Sequence, residues 1–316
     1  MNNDPKNGKY IVKRLNADNL TDVEKLHTAV YDKQQVKGFF MQKYNTAFTG
    51  IEHTGFIAYN NEQMPVAFYG VIPCFIKIDD KIILSAQSAD TMTHPGYRNQ
   101  GLFVELALTT FQLCRELDIK LIFGFPNKNS LPGFVNKLGW QVTDTMDCFI
   151  IHTRNFSLDG ILNKVPLLKK LHTGYQSRIL KKYLVRQNGI TNSVFTNGFG
   201  GVYRDKDFLN YKTYNPTQVI RIDDATLWIK ISSVLLIGDI LLNPDNFDDM
   251  MYKLKKLARR LGIKEIHFHA SPGTTLHGLF AMRFNSFPSF PVIFKDQVES
   301  ITLDKIKFTS VDIDTF

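Results

Sequence analysis

Cysteine, long apolar runs and, over one stretch, negative charge are all scarce in this chain, and each shortage removes a class of protein. The three cysteines, Cys74, Cys114 and Cys148, show no CxxC spacing. An odd, scattered set argues against a disulfide framework or a structural zinc site and fits small buried residues. No apolar run approaches the ~18 residues that cross a bilayer. The opening MNNDPKNGKY has no apolar core for a secretory signal. The expectation is a soluble, cytoplasmic protein with no transmembrane segment. Basic and aromatic residues do not interleave as a nucleic-acid groove requires, so DNA is not an expected partner.

What is present is 316 residues with 44% hydrophobic content, enough for two domains of ordinary size. The formal charge is +8, and its excess is local. Between Ile161 and Ile190 stand Lys164, Lys169, Lys170, Arg178, Lys181, Lys182 and Arg186, with no acidic residue. Leu and Ile alternate with these cations at roughly helical spacing. The stretch reads as a linker helix with a solvated basic face, or as a segment that lies on an anionic surface.

Along the chain, Tyr10 to Leu15 reads as a strand, Asn19 to Asp22 as a helix start, and Val36 to Tyr44 as a short helix. Then GFIAYN, PVAFYGVIPCFIKI and KIILSAQSADTMT form β-rich runs parted by Asn60-Asn61 and Asp79-Asp80, the pattern of an antiparallel meander. From Gln100 the period changes: Leu102, Leu106, Leu113 and Leu117 make one helical stripe. KLIFGF follows as a buried strand, 127–138 as a short irregular helix, and 140–152 as another strand.

The junction THPGYRNQGLF therefore lies between a strand and a helix. The first amides of a helix have no partner within it and sit at its positive end, where an anion gains several hydrogen bonds. Gly101 at this point suits a phosphorylated cofactor approaching the backbone.

The stretch ADTMTHPGYRNQGLF, the helix and strand after it, and NKNSLPGFVNKLGW resemble the acetyl-coenzyme A binding core of the GNAT N-acetyltransferase superfamily. Pro95, Tyr97, Arg98, Gly101, Asn127, Gly139 and Trp140 fall in that family's order and spacing, over about Tyr10 to His152. Two positions depart from its pattern: Phe103 stands where a small residue is expected and Phe134 where a tyrosine is. The resemblance implies an α+β (mixed α/β) fold built on a mostly antiparallel mixed sheet flanked by helices, with acetyl-coenzyme A as cosubstrate. It implies that Met92 and Thr93 offer backbone to the pantetheine arm, and that the amides of Arg98, Asn99, Gln100, Gly101, Leu102 and Phe103 hold the pyrophosphate. Asn127 would face the thiol end, with Phe134 at the position of the usual acid. Asp90, on the same strand face as Met92 by alternation, is the candidate base, and a structural hydrogen-bonding role for it is the alternative. His94 is a lesser candidate base, and exposure in a turn is its plainer reading.

The second half echoes the first. ADTMTHPG at 89–96 aligns with GDILLNPD at 238–245, pairing Asp90 with Asp239, and LDIKLIF at 117–123 aligns with LGIKEIH at 261–267. The second copy lacks the glycine turn. The expected organisation is tandem: a cofactor-binding domain at 1–155, a basic helical linker at 156–190, and a degenerate domain at 191–316. YRDKDFLNYKTYNPTQ resembles the segment that opens the second half of some two-domain GNAT proteins. His267 and His269 alternate on one strand face without a third ligand, so no metal site is expected. The closing VDIDTF is expected to fray, although some tandem acetyltransferases place a terminal carboxylate in the acceptor site. The function implied is acetyl transfer to the primary amine of a small-molecule acceptor. A FemAB-like aminoacyl or acyl transferase using charged transfer RNA, and a non-catalytic acyl-coenzyme A sensor or scaffold, are the alternatives.

Overall fold

The computed structural model describes residues 9–153, 166–298 and 301–316. The chain divides into two units: Met1–Ile76 with Lys81–Thr143 and Val292–Leu303, and Lys77–Asp80 with Asp144–Pro291 and Asp304–Phe316. Of the linker expected at 156–190, residues 156–165, including Lys164, lie outside the described residues, as do residues 1–8.

The first unit begins with β1 (Ile11–Arg14). Asn16 then accepts from the Asp18 and Asn19 amides while the Asn19 side chain returns the bond, a capping box that turns the chain into α1 (Leu20–Tyr31). Asp32, left-handed at φ 50°, ends it. After α2 (Phe39–Lys43) come β2 (Gly55–Tyr59), β3 (Pro65–Ile78) and β4 (Lys81–Thr93). α3 (Leu102–Glu116), β5 (Leu121–Gly124) and α4 (Leu131–Leu138) follow. β1 pairs antiparallel with β2, and β2 with β3, whereas β4 and β5 are parallel. Leu102, Leu106, Ala107, Phe111 and Cys114 of α3 share one buried cluster with Ala58, Tyr69, Val71, Ala86 and Ile122 of the sheet. Burial pushes the Cys114 thiol up to about 12, so it is an inert core group.

β6 (Gln141–His152) leaves the first unit at Thr143 and pairs in the second. The second unit holds α5 (Pro166–Leu180), β7 (Gly201–Val202), α6 (Lys206–Tyr211) and the hairpin strands β8 (Gln218–Ile222), β9 (Ala225–Ile231) and β10 (Leu235–Leu241). α7 (Phe247–Arg260), β11 (Glu265–Ala270) and α8 (Thr275–Ala281) complete it, and β12 (Ser286–Asp296) runs back to the first unit at Val292. Here β10 and β11 are parallel, and β6 lies antiparallel to β11. In the first unit Ile293–Asp296 of β12 pairs antiparallel with β5. A boundary at residue 155 therefore falls inside the second unit. Alternation along a strand fixes which face is buried and leaves its pairing partner open. The helix at 166–180 is equally part of the second unit: Ile179 and Leu180 enter its core, and Gln176 Nε2 donates to Leu261 O at 2.8 Å.

Residues 308–316 are packed, contrary to the frayed tail expected. Thr309 bridges Ala270, Ser271 N donates to Phe308 O at 3.0 Å, and Phe316 is 1% exposed. A Cβ on Gly238 would stand 2.2 Å from Phe316 Cζ and 2.5 Å from Val311 Cγ2, so only glycine fits there.

Candidate active site

The β4–β5 ladder runs through Ser85–Leu121, Ala86–Ile122 and Gln87–Phe123 and stops, while β4 continues to Thr93. Ser88 to Thr93 thus leave an open strand edge beside the start of α3. The chain turns through Pro95–Tyr97, held by His94 N–H on Val66 O at 2.9 Å and by Asn60 Nδ2 donating to the Tyr97 hydroxyl at 2.9 Å. Gln100 Oε1 accepts from Lys9 Nζ at 2.6 Å and from the Tyr10 hydroxyl, tying the turn to the start of β1.

Asn99 at φ 62° and Gly101 at φ 85° are both left-handed. Such alternation turns successive amides toward one point, the arrangement of an anion nest. Among the described residues, no backbone N–H from Arg98 through Phe103 donates to a protein acceptor, and Gly101 caps α3 without a side-chain bond. A Cβ on Gly101 would meet nothing within 4 Å, so the glycine is required by its dihedral and leaves the space in front open. Arg98 is exposed, and its Nε lies 3.4 Å from Thr93 O.

The other expected positions divide. Met92 and Leu102 turn their side chains into the core, at 2% and 1% exposure, leaving backbone alone to a ligand. Asn127 is exposed, but its Oδ1 accepts from Asn129 N at 2.9 Å and Ser130 N at 3.0 Å, shaping the turn into α4. Phe134 is a core residue, its ring 5.3 Å from Phe103, 5.1 Å from Trp140 and 6.4 Å from Tyr69. The missing small residue at 103 is compensated at 133: a Cβ on Gly133 would stand 3.0 Å from Phe103 Cε1.

Asp90 sits on the open edge at φ 51°, a left-handed bend within a strand. Its Oδ2 lies 2.6 Å from Lys43 Nζ and accepts from the Tyr44 hydroxyl at 3.0 Å, and Lys43 is 2% exposed. Lys43 reads in sequence as an ordinary surface cation. Equally silent was Tyr69, whose hydroxyl is 2.9 Å from Ser88 Oγ at the first residue past the ladder. Burial raises the Tyr69 phenol far above its usual value, so it stays protonated.

The second unit repeats this frame without the nest. Its β10–β11 ladder runs through Leu235–Ile266, Leu236–His267 and Ile237–Phe268 and likewise stops before β10 ends. Residues 308–312 fill the opening, with His269 N donating to Ser310 Oγ at 2.9 Å. Asp239 is clamped by Arg204 Nη1 at 2.6 Å and by the Ser193 hydroxyl at 2.6 Å, and Arg204 also pairs with Asp312 at 2.8 Å. Burial works against the Arg204 charge, but Asp312 and Asp239 outweigh it and raise its pKa. The two histidines of β11 are taken by protein side chains: His267 Nε2 lies 2.9 Å from Glu265 Oε2, and His269 Nδ1 lies 3.0 Å from Ser289 Oγ.

Residues 11–143 match the family model of the acetyltransferase (GNAT) domain. The fold is similar to that of a GCN5-related N-acetyltransferase from Kribbella flavida at 10% identity, covering 91% of this chain and 71% of that one with a TM-score of 0.58. A GCN5-related N-acetyltransferase from Anabaena variabilis is similar at 12% identity, 91% and 73% coverage and TM-score 0.58. A probable N-acyltransferase from Enterococcus faecalis gives 10% identity, 91% and 72% coverage and TM-score 0.57. None of the curated proteins matches the chain. The architecture is thus the mixed, mostly antiparallel sheet with flanking helices seen in GNAT proteins, and the domain model that residues 11–143 match is one of acetyltransferases. No helix among the described residues is long and apolar enough to cross a membrane.

Proposed function

We propose that the first unit binds acetyl-coenzyme A and transfers its acetyl group to a primary amine of a small-molecule acceptor, in the cytoplasm. The observation that carries this reading is the run of unclaimed amides from Arg98 to Phe103 next to the open edge of β4. The amides would take the pyrophosphate, Arg98 would add charge beside it, and the backbone at Met92 and Thr93 would take the pantetheine amides. Asn127, through its Nδ2, would face the thiol end. The second unit is, in this reading, a degenerate copy whose own opening is filled by residues 308–312.

In the reaction the amine nitrogen attacks the thioester carbonyl, the carbon–sulfur bond breaks, and the ammonium proton leaves to a base while the thiolate takes up a proton or departs as it is. Holding both reactants at the open edge supplies the proximity term. Asp90 is the carboxylate on that edge and the base we assign, oriented by Lys43 and Tyr44. Phe134 carries no acid, and Tyr69, protonated and paired with Ser88, is a neutral donor beside the open edge.

Thiol release from acetyl-coenzyme A across a panel of primary amines tests this. Amine-dependent release is expected, and Asp90→Asn should lower it by ~10²-fold or more while cofactor affinity is kept. Turnover that survives Asp90→Asn, with only a lowered thermal midpoint, would make Asp90 a clamp for α2. Cofactor binding with no amine-dependent release would favour the sensor reading.

A further inference from the structure

The second unit carries a cationic cleft that the acyltransferase reading does not use. Three elements wall it: Lys182 and Tyr183 just past α5, Arg221 on β8, and Lys253, Lys256 and Arg260 on α7, around a volume of about 400 Å³. The walls are fixed to one another by backbone bonds, since Arg221 N donates to Tyr183 O at 2.8 Å and Val185 N to Val219 O at 2.9 Å. Gln176 of α5 is anchored on Leu261, just after α7. Buried Ile222 and Leu257 also line the cleft.

The carboxylate in the lining, Asp223, is already paired with Lys253. Lys182, Arg221, Lys256 and Arg260 are exposed, and among the described residues none forms an ion pair or side-chain hydrogen bond. Arg260 near the C-terminus of α7 is accounted for by the helix dipole. Lys182 and Arg221 come from other elements and have no such reason to converge. Like charges facing one concavity repel, and a bound anion offsets that cost. The volume lies within the ~300–1,000 Å³ of small-molecule sites. The cations come from three elements around one concavity, where a nucleic-acid backbone or a bilayer would be met by an open stripe.

We propose that this cleft binds a compact polyanion carrying two or three phosphate groups. The lysines neutralise its charge, and Arg221 and Arg260 supply paired donors to phosphate oxygens. This site is independent of the Arg98–Phe103 turn, and its existence does not depend on the acetyl-transfer reading.

Calorimetric titration of the full chain with tripolyphosphate at physiological salt, with orthophosphate as control, tests it. Tripolyphosphate should bind and orthophosphate should not. The Lys256→Glu/Arg260→Glu double variant should weaken binding by at least about tenfold, and Gly101→Glu, in the other unit, should leave it intact. Lys182→Glu, on a separate wall, repeats the test should the double variant lose its thermal transition. Absence of binding, binding that both cleft variants leave untouched, or binding removed by Gly101→Glu would overturn the proposal. So would capture of an RNA oligonucleotide or of phosphatidylglycerol vesicles that depends on these cations and that tripolyphosphate fails to compete away.

Discussion

Phe103 and Gly133 show how a departure from a family pattern is absorbed by a single contact. An aromatic ring at the second turn position of α3 needs room, and the absence of a side chain at Gly133 provides it, with the ring edge 3.0 Å from where a Cβ would stand. The ring then joins Tyr69 and Phe134 in a T-shaped and tilted cluster. A glycine inside a helix is worth about 1 kcal/mol less than alanine, so Gly133→Ala trades propensity against crowding. Gly133→Ala should therefore be more stabilising in a Phe103→Leu background than in the wild type, with a coupling of about 1 kcal/mol in a double-mutant cycle of urea unfolding. Strict additivity would mean that the two positions do not compensate each other.

At the scale of elements, one device occurs in both units: a short parallel ladder, a strand that runs on past it, and an aspartate on that strand clamped by a buried cation. What differs is what meets the open edge. In the first unit it adjoins free amides, and in the second it is filled by residues 308–312. His269 of β11 holds that filling, lying between Ser310 and Ser289 with its ring tilted against Phe290 at 5.2 Å. Burial, with His267 adding, pushes its imidazole from 6.5 down to about 4. The neutral ring is the folded form. Its contribution is thus complete above the unfolded value and is lost as pH falls from 6.5 toward about 4, on the order of 3 kcal/mol. Urea unfolding followed from neutral pH down to about pH 4 should show a shallower decline for His269→Gln than for the wild type. Parallel declines would contradict the assignment.

For the whole molecule, the sequence was most legible where one pattern had one physical meaning. The β-rich runs at 55–60, 65–78 and 81–93, parted by turn-forming pairs, named β2 to β4, and the leucine stripe named α3, within a residue or two at each end. The turn at Arg98 to Phe103 was legible because a strand, a glycine and a helix start coincide there. Strand exchange was not, since nothing in β6 or β12 tells which parallel pair each will join. Lys43, Tyr69 and Ser88 were invisible because their importance comes from partners far along the chain, and the basic cleft because only Lys182 lies in the charged run that composition reveals.

The central claim is that one cofactor binds, at one unit. Calorimetric titration of acetyl-coenzyme A into the wild type and into Gly101→Glu measures it directly. The account predicts one molecule per chain and loss of binding in the variant, whose carboxylate would stand where the pyrophosphate is placed. No binding by the wild type, or binding that Gly101→Glu leaves intact, would contradict it, and a second equivalent would show that the opening between β10 and β11 is not closed.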